Sequence, residues 1–251
     1  MQKSLKSFIK PLIPEATRAL LRRLGSRIRH FGFARYCPTC GSHVRRFGRY
    51  GVLKRPDAEC PICGSLERHR LMSLYFPART NLFDGTPKKM LHIAPERHFV
   101  RMFANIKGLD YLSGDLSRSL AMVKMDITKI QYPDASFDVI YCSHVLEHIP
   151  DDRLAMSELY RVLKPGGWAI LQVPQADQDV TYEDFSITDP VEREKQFGQY
   201  DHVRWYGRDY KDRLAQVGFQ VTVDHFVRDL DPSQAKLYGL MLSENVYLCR
   251  K

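Results

Sequence analysis

The sequence predicts an α/β protein: a doubly wound, mainly parallel sheet in the C-terminal two-thirds of the chain, preceded by a small metal-pinned ribbon. Three observations carry this expectation. From Lys88 onward short apolar runs alternate with helical stretches, and strands separated by helices pair in parallel through crossovers. Ahead of that pattern stand two C-P-x-C-G knuckles, Cys37-Pro38-Thr39-Cys40-Gly41 and Cys60-Pro61-Ile62-Cys63-Gly64. The length, 251 residues, suits one full α/β domain plus an accessory module. The expected division is a basic amphipathic helical segment at 1–35, the ribbon at 36–64, a bridging helix and linker at 65–87, and the sheet domain at 88–251.

The chain opens with MQKSLKSFIKPLIPEATRALL, where Lys6, Lys10, Pro11 and Pro14 interrupt any signal-peptide core. No apolar run reaches the ~18 residues of a membrane span, so a cytoplasmic protein is expected. From Glu15 to about Phe33, Leu20, Leu21, Leu24, Ile28 and Phe31 recur at helical spacing between arginines, which predicts an amphipathic helix. Such a stripe usually docks on its own domain; peripheral contact with a membrane surface through 1–35 is the other reading. The net charge of +9 is unevenly distributed. Residues 1–90 hold 19 Lys and Arg against 5 Asp and Glu, and residues 91–251 hold 19 against 24. Arg18, Arg22, Arg23, Arg27, Arg29 and Arg35 form a cluster that attracts phosphates or serves as a solvated face.

Nineteen residues separate Cys40 from Cys60, the spacing of a structural zinc site with Cys37, Cys40, Cys60 and Cys63 as ligands. Each proline stiffens its knuckle, and the following glycine tolerates positive φ. A disulfide pair and rubredoxin-like iron are the alternatives. Between the knuckles, HVRRFGRYGVLKRP reads as a basic hairpin. Its Phe47 and Tyr50 either stack on bases or cover the metal site. Ser65 is expected to cap a helix from Leu66 to Phe76 that Pro77 stops.

The sheet domain reads as strand Met90–Ile93, helix Arg97–Asn105, strands Tyr111–Ser113, Val123–Met125 and Phe137–Ser143, helix Asp152–Leu163 and strand Trp168–Val173. A polar insertion runs from Pro174 to about Trp205. Beyond it lie helix Arg208–Val217 and strands Phe219–Val223 and Val246–Cys249. Cys142 and Cys249 lie in apolar runs as small buried hydrophobes.

Two segments, FDVIYCSHVLEHIPD (Phe137–Asp151) and ELYRVLKPGGWAILQVP (Glu158–Pro174), resemble the fourth strand, its following helix and the Leu-Lys-Pro-Gly-Gly turn of class I S-adenosylmethionine-dependent methyltransferases of the methyltransferase-11 type. The resemblance runs from about Met90 to the C-terminus and implies a Rossmann-like sheet binding S-adenosylmethionine at the carboxyl ends of its strands. On this resemblance Asp115 holds the ribose hydroxyls and Asp126 faces the adenine amino group, with Ile127 beside the ring and Ser143 at the end of the fourth strand. The glycine-rich D/E-x-G-x-G-x-G loop is altered to His92-Ile93-Ala94-Pro95-Glu96-Arg97-His98. Ala94 and Pro95 then shape the approach to the cofactor, and Glu96 holds its amino group by a charge-assisted hydrogen bond.

An oxygen acceptor needs a general base. His144, just past the fourth strand, and His202, in the insertion, are the candidate catalytic residues, with Asp201 or another carboxylate orienting His202. His144 to His148 has the H-x-x-E-H spacing of zinc proteases, but His144 should end a strand there, and Glu147-His148 fits the methyltransferase pattern without metal. Cys142 lacks the Pro-Cys context of a cytosine nucleophile. The N/D-P-P-Y/F motif of amino methylation is absent, Ser143-His144-Val145 standing in its place. The reading is O-methylation of a small-molecule or saccharide hydroxyl. Its rivals are an RNA methyltransferase that grips phosphates through its front module and a non-catalytic cofactor-binding scaffold; oligomeric state is left open.

Overall fold

The computed structural model describes residues 14–51, 54–117 and 120–251. Lys6, Lys10 and Pro11 lie outside the described residues, as do the side chains of Arg18, Leu20, Arg22 and Arg23. In chain order the helices and strands are α1 (Glu15–His30), β1 (Arg35–Cys37), β2 (Ser42–Val44), β3 (Gly48–Tyr50), β4 (Arg55–Glu59), α2 (Glu67–Arg79), β5 (Lys88–Ile93), α3 (Arg97–Ala104), β6 (Leu109–Asp115), β7 (Val123–Lys124), β8 (Phe137–Ser143), α4 (Asp152–Val162), β9 (Leu163–Gln172), β10 (Tyr182–Glu183), α5 (Pro190–Phe197), β11 (Arg204–Trp205), α6 (Tyr210–Gln216), β12 (Gln220–Asp224), α7 (Phe226–Asp229), α8 (Pro232–Tyr238) and β13 (Val246–Arg250). They form two compact units, Met1–Thr80 with Val227–Glu244, and Asn81–Phe226 with Asn245–Lys251. The segment 227–244, grouped by sequence with the sheet domain, thus belongs with the ribbon.

The larger unit is built on a seven-stranded sheet in the order β12-β13-β9-β8-β5-β6-β7. Pairings from β7 through β9 are parallel, and β13 runs antiparallel to both neighbours. This is the Rossmann-like sheet expected from the alternation. Phe137, Ile140, Cys142, Ala169 and Leu171 on its central strands pack against Met156 and Leu159 of α4, all fully buried. The Lys-Pro-Gly-Gly turn works through its glycines: Gly166 has φ +76, and a Cβ on Gly167 would meet Asp138 O at 2.8 Å.

The smaller unit has two two-stranded hairpins, β1–β2 and β3–β4. Around the cysteines Cys37, Val44, Phe47 and Cys60 are buried together, and Leu71, Met72, Tyr75 and Phe76 of α2 are buried in the same unit. Phe47 is therefore a cover for the cysteines, while Tyr50 is exposed. Of the apolar stripe of α1, the described side chains Leu21, Leu24 and Ile28 are exposed, as are Phe31 and Phe33 beyond the helix end at His30. Pro77 does not stop α2, which continues to Arg79 and closes with the Thr80 N–H and hydroxyl both bonding Phe76 O. Ser65 is not its cap either. The Leu66 N–H bonds His69 Nδ1 at 2.8 Å, and Ser65 Oγ lies 3.1 and 3.2 Å from the Cys37 and Cys63 sulfurs. No helix among the described residues is long and apolar enough to cross a membrane.

Candidate functional site

The order of the parallel strands reverses between β5 and β8, so the crevice at their carboxyl ends is where a doubly wound sheet takes its ligand. Ala94, immediately after β5, has φ +47, and its N–H bonds Gly114 O at 2.8 Å. The left-handed turn that a glycine usually makes is thus kept by alanine, at a cost of about 1 kcal/mol. Pro95 is buried. Glu96 starts α3, its carbonyl accepting from the Phe99 and Val100 N–H groups and its Oε2 accepting from Tyr141 Oη at 3.2 Å. A carboxylate there sits at the positive end of a helix dipole and within reach of a cationic ligand group.

Asp115 ends β6 and Asp126 follows β7, at the carboxyl edge where the resemblance puts them. Each closes a turn through Oδ1: Asp115 accepts from the Ser117 N–H and hydroxyl, both at 2.6 Å. Asp126 accepts from those of Thr128 at 2.9 and 2.7 Å, and these bonds hold its carboxyl below the ordinary range. Ile127 and Ser143 are buried. The loop keeps its turn without glycine and presents three carboxylates along one edge, so these residues fit an S-adenosylmethionine pocket.

Sequence reasoning missed His92. It is fully buried in β5, its Nδ1 is 3.0 Å from Tyr111 Oη, its Nε2 has no hydrogen bond, and the rings of Phe103, Tyr111 and Tyr141 surround it. Burial pushes its pKa down to about 4, against the weaker pull of Glu96. The available signal was a histidine inside an otherwise apolar strand.

On the acceptor side His144 follows β8 with φ +55, its N–H bonding Gln172 O at 2.8 Å. His144 Nδ1 stands 3.4 Å from Glu147 Oε1; the histidine side chain is 25% exposed and the glutamate 0%. Neither Glu147 carboxylate oxygen has a hydrogen bond. Burial pushes its pKa upward, but His144 and then His148 outweigh that and hold the carboxyl below its ordinary value. His148, at the end of a single 3-10 turn (Leu146–His148), lies edge-on to His202 with ring centroids 4.7 Å apart.

His202 is buried, with Nδ1 3.0 Å from Phe197 O. A carbonyl only accepts, so Nδ1 carries the proton and Nε2 keeps its lone pair. Burial lowers the pKa of this ring. Asp201 does not orient it: that carboxylate stands 3.3 Å from His148 Nδ1. The insertion folds back over the segment after β8, as the Val203 N–H bonds Glu147 O at 2.9 Å. Arg204, fully buried, donates to Leu146 O, Ile149 O and Pro150 O and to Glu183. Cys142 is sealed in the strand, where burial pushes its thiol well up.

In the smaller unit the four knuckle cysteines gather with all ligand sulfurs within 4.8 Å of one another. Cys37 to Cys63 is 3.8 Å and Cys40 to Cys60 is 3.9 Å. A tetrahedron with Zn–S of about 2.3 Å has edges of about 3.8 Å, whereas a disulfide needs about 2.05 Å. The Gly41 and Gly64 N–H groups each close a knuckle on Cys37 O and Cys60 O at 2.8 Å, with φ of +67 and +76.

Residues 90–171, from β5 into β9, match the methyltransferase domain family. A sterol 24-C-methyltransferase of Eremothecium gossypii is 32% identical over 129 residues, 50% of this chain and 33% of that protein. A cycloartenol-C-24-methyltransferase of Arabidopsis thaliana is 40% identical over 60 residues, 24% of this chain and 18% of that one. The chain spans a third or less of the length of these curated relatives. Among solved structures, an S-adenosylmethionine-dependent methyltransferase from Archaeoglobus fulgidus is 17% identical with a TM-score of 0.49, covering 73% of this chain and 93% of that one.

Proposed function

We propose that this chain, whose residues 90–171 match the methyltransferase domain family, methylates the hydroxyl of a small-molecule or saccharide acceptor and carries one structural zinc ion on its four clustered cysteines. The observation that carries the acceptor chemistry is the pair His144–Glu147 at the carboxyl end of β8. A partly exposed imidazole backed by a buried, ionised carboxylate is a general base suited to removing a hydroxyl proton. S-adenosylmethionine, when bound, would supply a methyl group on a sulfonium, transferred to an acceptor lone pair with the neutral thioether of S-adenosylhomocysteine as leaving group. Asp115 and Asp126 would hold its ribose and adenine, Glu96 its amino group, and Ala94 and Pro95 the turn beneath it. His144 takes the acceptor proton, Glu147 stabilises the imidazolium that results, and the Arg204-held insertion excludes water. His202, buried with its Nδ1 tied to a carbonyl, is the weaker candidate for base.

The test is S-adenosylhomocysteine release across hydroxylated small compounds, glycans, sterols and RNA. Release with a hydroxylated compound, cut about 100- to 10,000-fold in His144→Asn with cofactor affinity kept, is the expected result. The sterol methyltransferase relatives favour a second reading, transfer to carbon of an apolar lipid acceptor, and release with sterols alone would establish it. Release with RNA alone, together with salt-sensitive RNA binding, would assign the exposed arginines Arg27, Arg29, Arg45, Arg46 and Arg49 to phosphate contacts. No release with any acceptor and no saturable heat with S-adenosylmethionine would make the chain a scaffold.

A further inference from the structure

Metal-ligating side chains gather a second time, in the larger unit. We propose that Glu147, His148 and His202 bind one divalent transition-metal ion at the acceptor edge of the sheet. One ligand atom from each lies within 4.8 Å of the others, a separation that one ion with metal–ligand distances of about 2.0–2.2 Å bridges with small side-chain adjustments.

Three features distinguish this cluster from a satisfied polar core. Glu147 is wholly buried and both its oxygens lack hydrogen bonds, with His144 at ion-pair distance from Oε1. An ionised carboxylate so placed is costly unless a cation joins it. His202 has its Nδ1–H fixed by Phe197 O, which leaves Nε2 as a lone pair of set direction, the arrangement that carbonyl partners impose on metal-bound histidines. His148 is braced by Asp201 at 3.3 Å and packs on the His202 ring.

Two imidazoles and one carboxylate suit manganese, iron, cobalt or zinc, and differ from the all-thiolate set of the knuckles. Three protein ligands leave coordination positions open. On the methyl-transfer reading, an acceptor hydroxyl in an open position would be acidified by the ion, with His202 a ligand and His144 the base. The H-x-x-E-H spacing of His144 to His148 does not describe the site, since the third ligand comes from the insertion.

The test is titration of the full-length protein, its cysteine-bound zinc retained, with manganese chloride, bound ion being counted by loss of the free Mn2+ electron paramagnetic resonance signal. Wild type should show one saturable site per chain and a rise in melting temperature as it fills. Glu147→Gln keeps the shape of the side chain and removes the buried charge, so it should fold and bind at least about 10-fold more weakly. His202→Ala should bind as weakly, and His144→Asn should retain the site. Absence of saturable Mn2+ or Co2+ binding in the wild type, or unchanged affinity in Glu147→Gln, overturns the proposal. Binding is read without acceptor or S-adenosylmethionine, so failure here is separable from failure of the methyl-transfer reading.

Discussion

His92 occupies the position where the resembled loop carries an acid, yet it lies inside the sheet unit rather than at the crevice. Its folded pKa of about 4 lies below the ordinary 6.5, so between those values the unfolded chain binds the extra proton. This contribution is complete above about pH 6.5 and is lost as pH falls toward 4. In urea unfolding, wild type should lose about 2 kcal/mol more stability than His92→Gln between pH 7 and pH 5; parallel losses would refute neutral burial of the ring. The positions of Glu96 and Asp115 at strand ends were legible because each follows a strand of the alternating pattern. Asp115→Ala should weaken S-adenosylmethionine binding by about 1.5–3 kcal/mol, and Glu96→Gln should weaken it as well; calorimetric titration checks both. The Tyr141 bond to Glu96 and the burial of Glu147 were not legible, since they depend on which strands become neighbours.

At the scale of elements, β8 is read from sequence at both of its ends, because Val139–Cys142 is an apolar run, Phe137 precedes it at strand spacing, and polar residues flank the strand on either side. The insertion shows the reverse. β10 and β11 have only two residues each, too few for a periodic signal, and they are positioned by tertiary contacts that Arg204 makes. Three loop carbonyls and the Glu183 carboxylate converge on its guanidinium, and Asp152 lies 3.7 Å away. Lysine cannot reproduce that planar fork. Arg204→Lys keeps the charge but leaves buried carbonyls unsatisfied, and should therefore cost about 1–3 kcal/mol. It should also expose the segment Leu146–Asp152 to proteolysis, since both the 3-10 turn and the start of α4 lose their brace. Unchanged chemical denaturation together with unchanged cleavage would show that the loop holds itself.

On the scale of the whole molecule, the sequence separates a basic front from an acidic remainder, and the folded units respect that line except at 227–244, which contributes α8 to the ribbon's unit. Nothing in the local pattern of that segment announces its partner. The tie is Arg70, whose guanidinium donates to Ala58 O, Ser65 O, Tyr238 O and Gly239 O and stacks over Phe47, 3.9 Å from the ring centroid. Within the ribbon itself the buried apolar residues around the cysteines are few, Cys37, Val44, Phe47 and Cys60, too few to hold 35–64 by apolar burial alone, so metal binding should supply folding energy there. The purified chain should contain about one zinc per molecule in the cysteine site, and Cys60→Ser should lower that content. Because Arg70 joins the ribbon to Tyr238 and Gly239, loss of zinc should reduce amide protection in 35–64 and in 232–240 together, as hydrogen exchange would report. Full zinc retention by a Cys37→Ser, Cys60→Ser double variant, or exchange that rises in the ribbon while 232–240 stays protected, would show that the cysteines do not govern this unit.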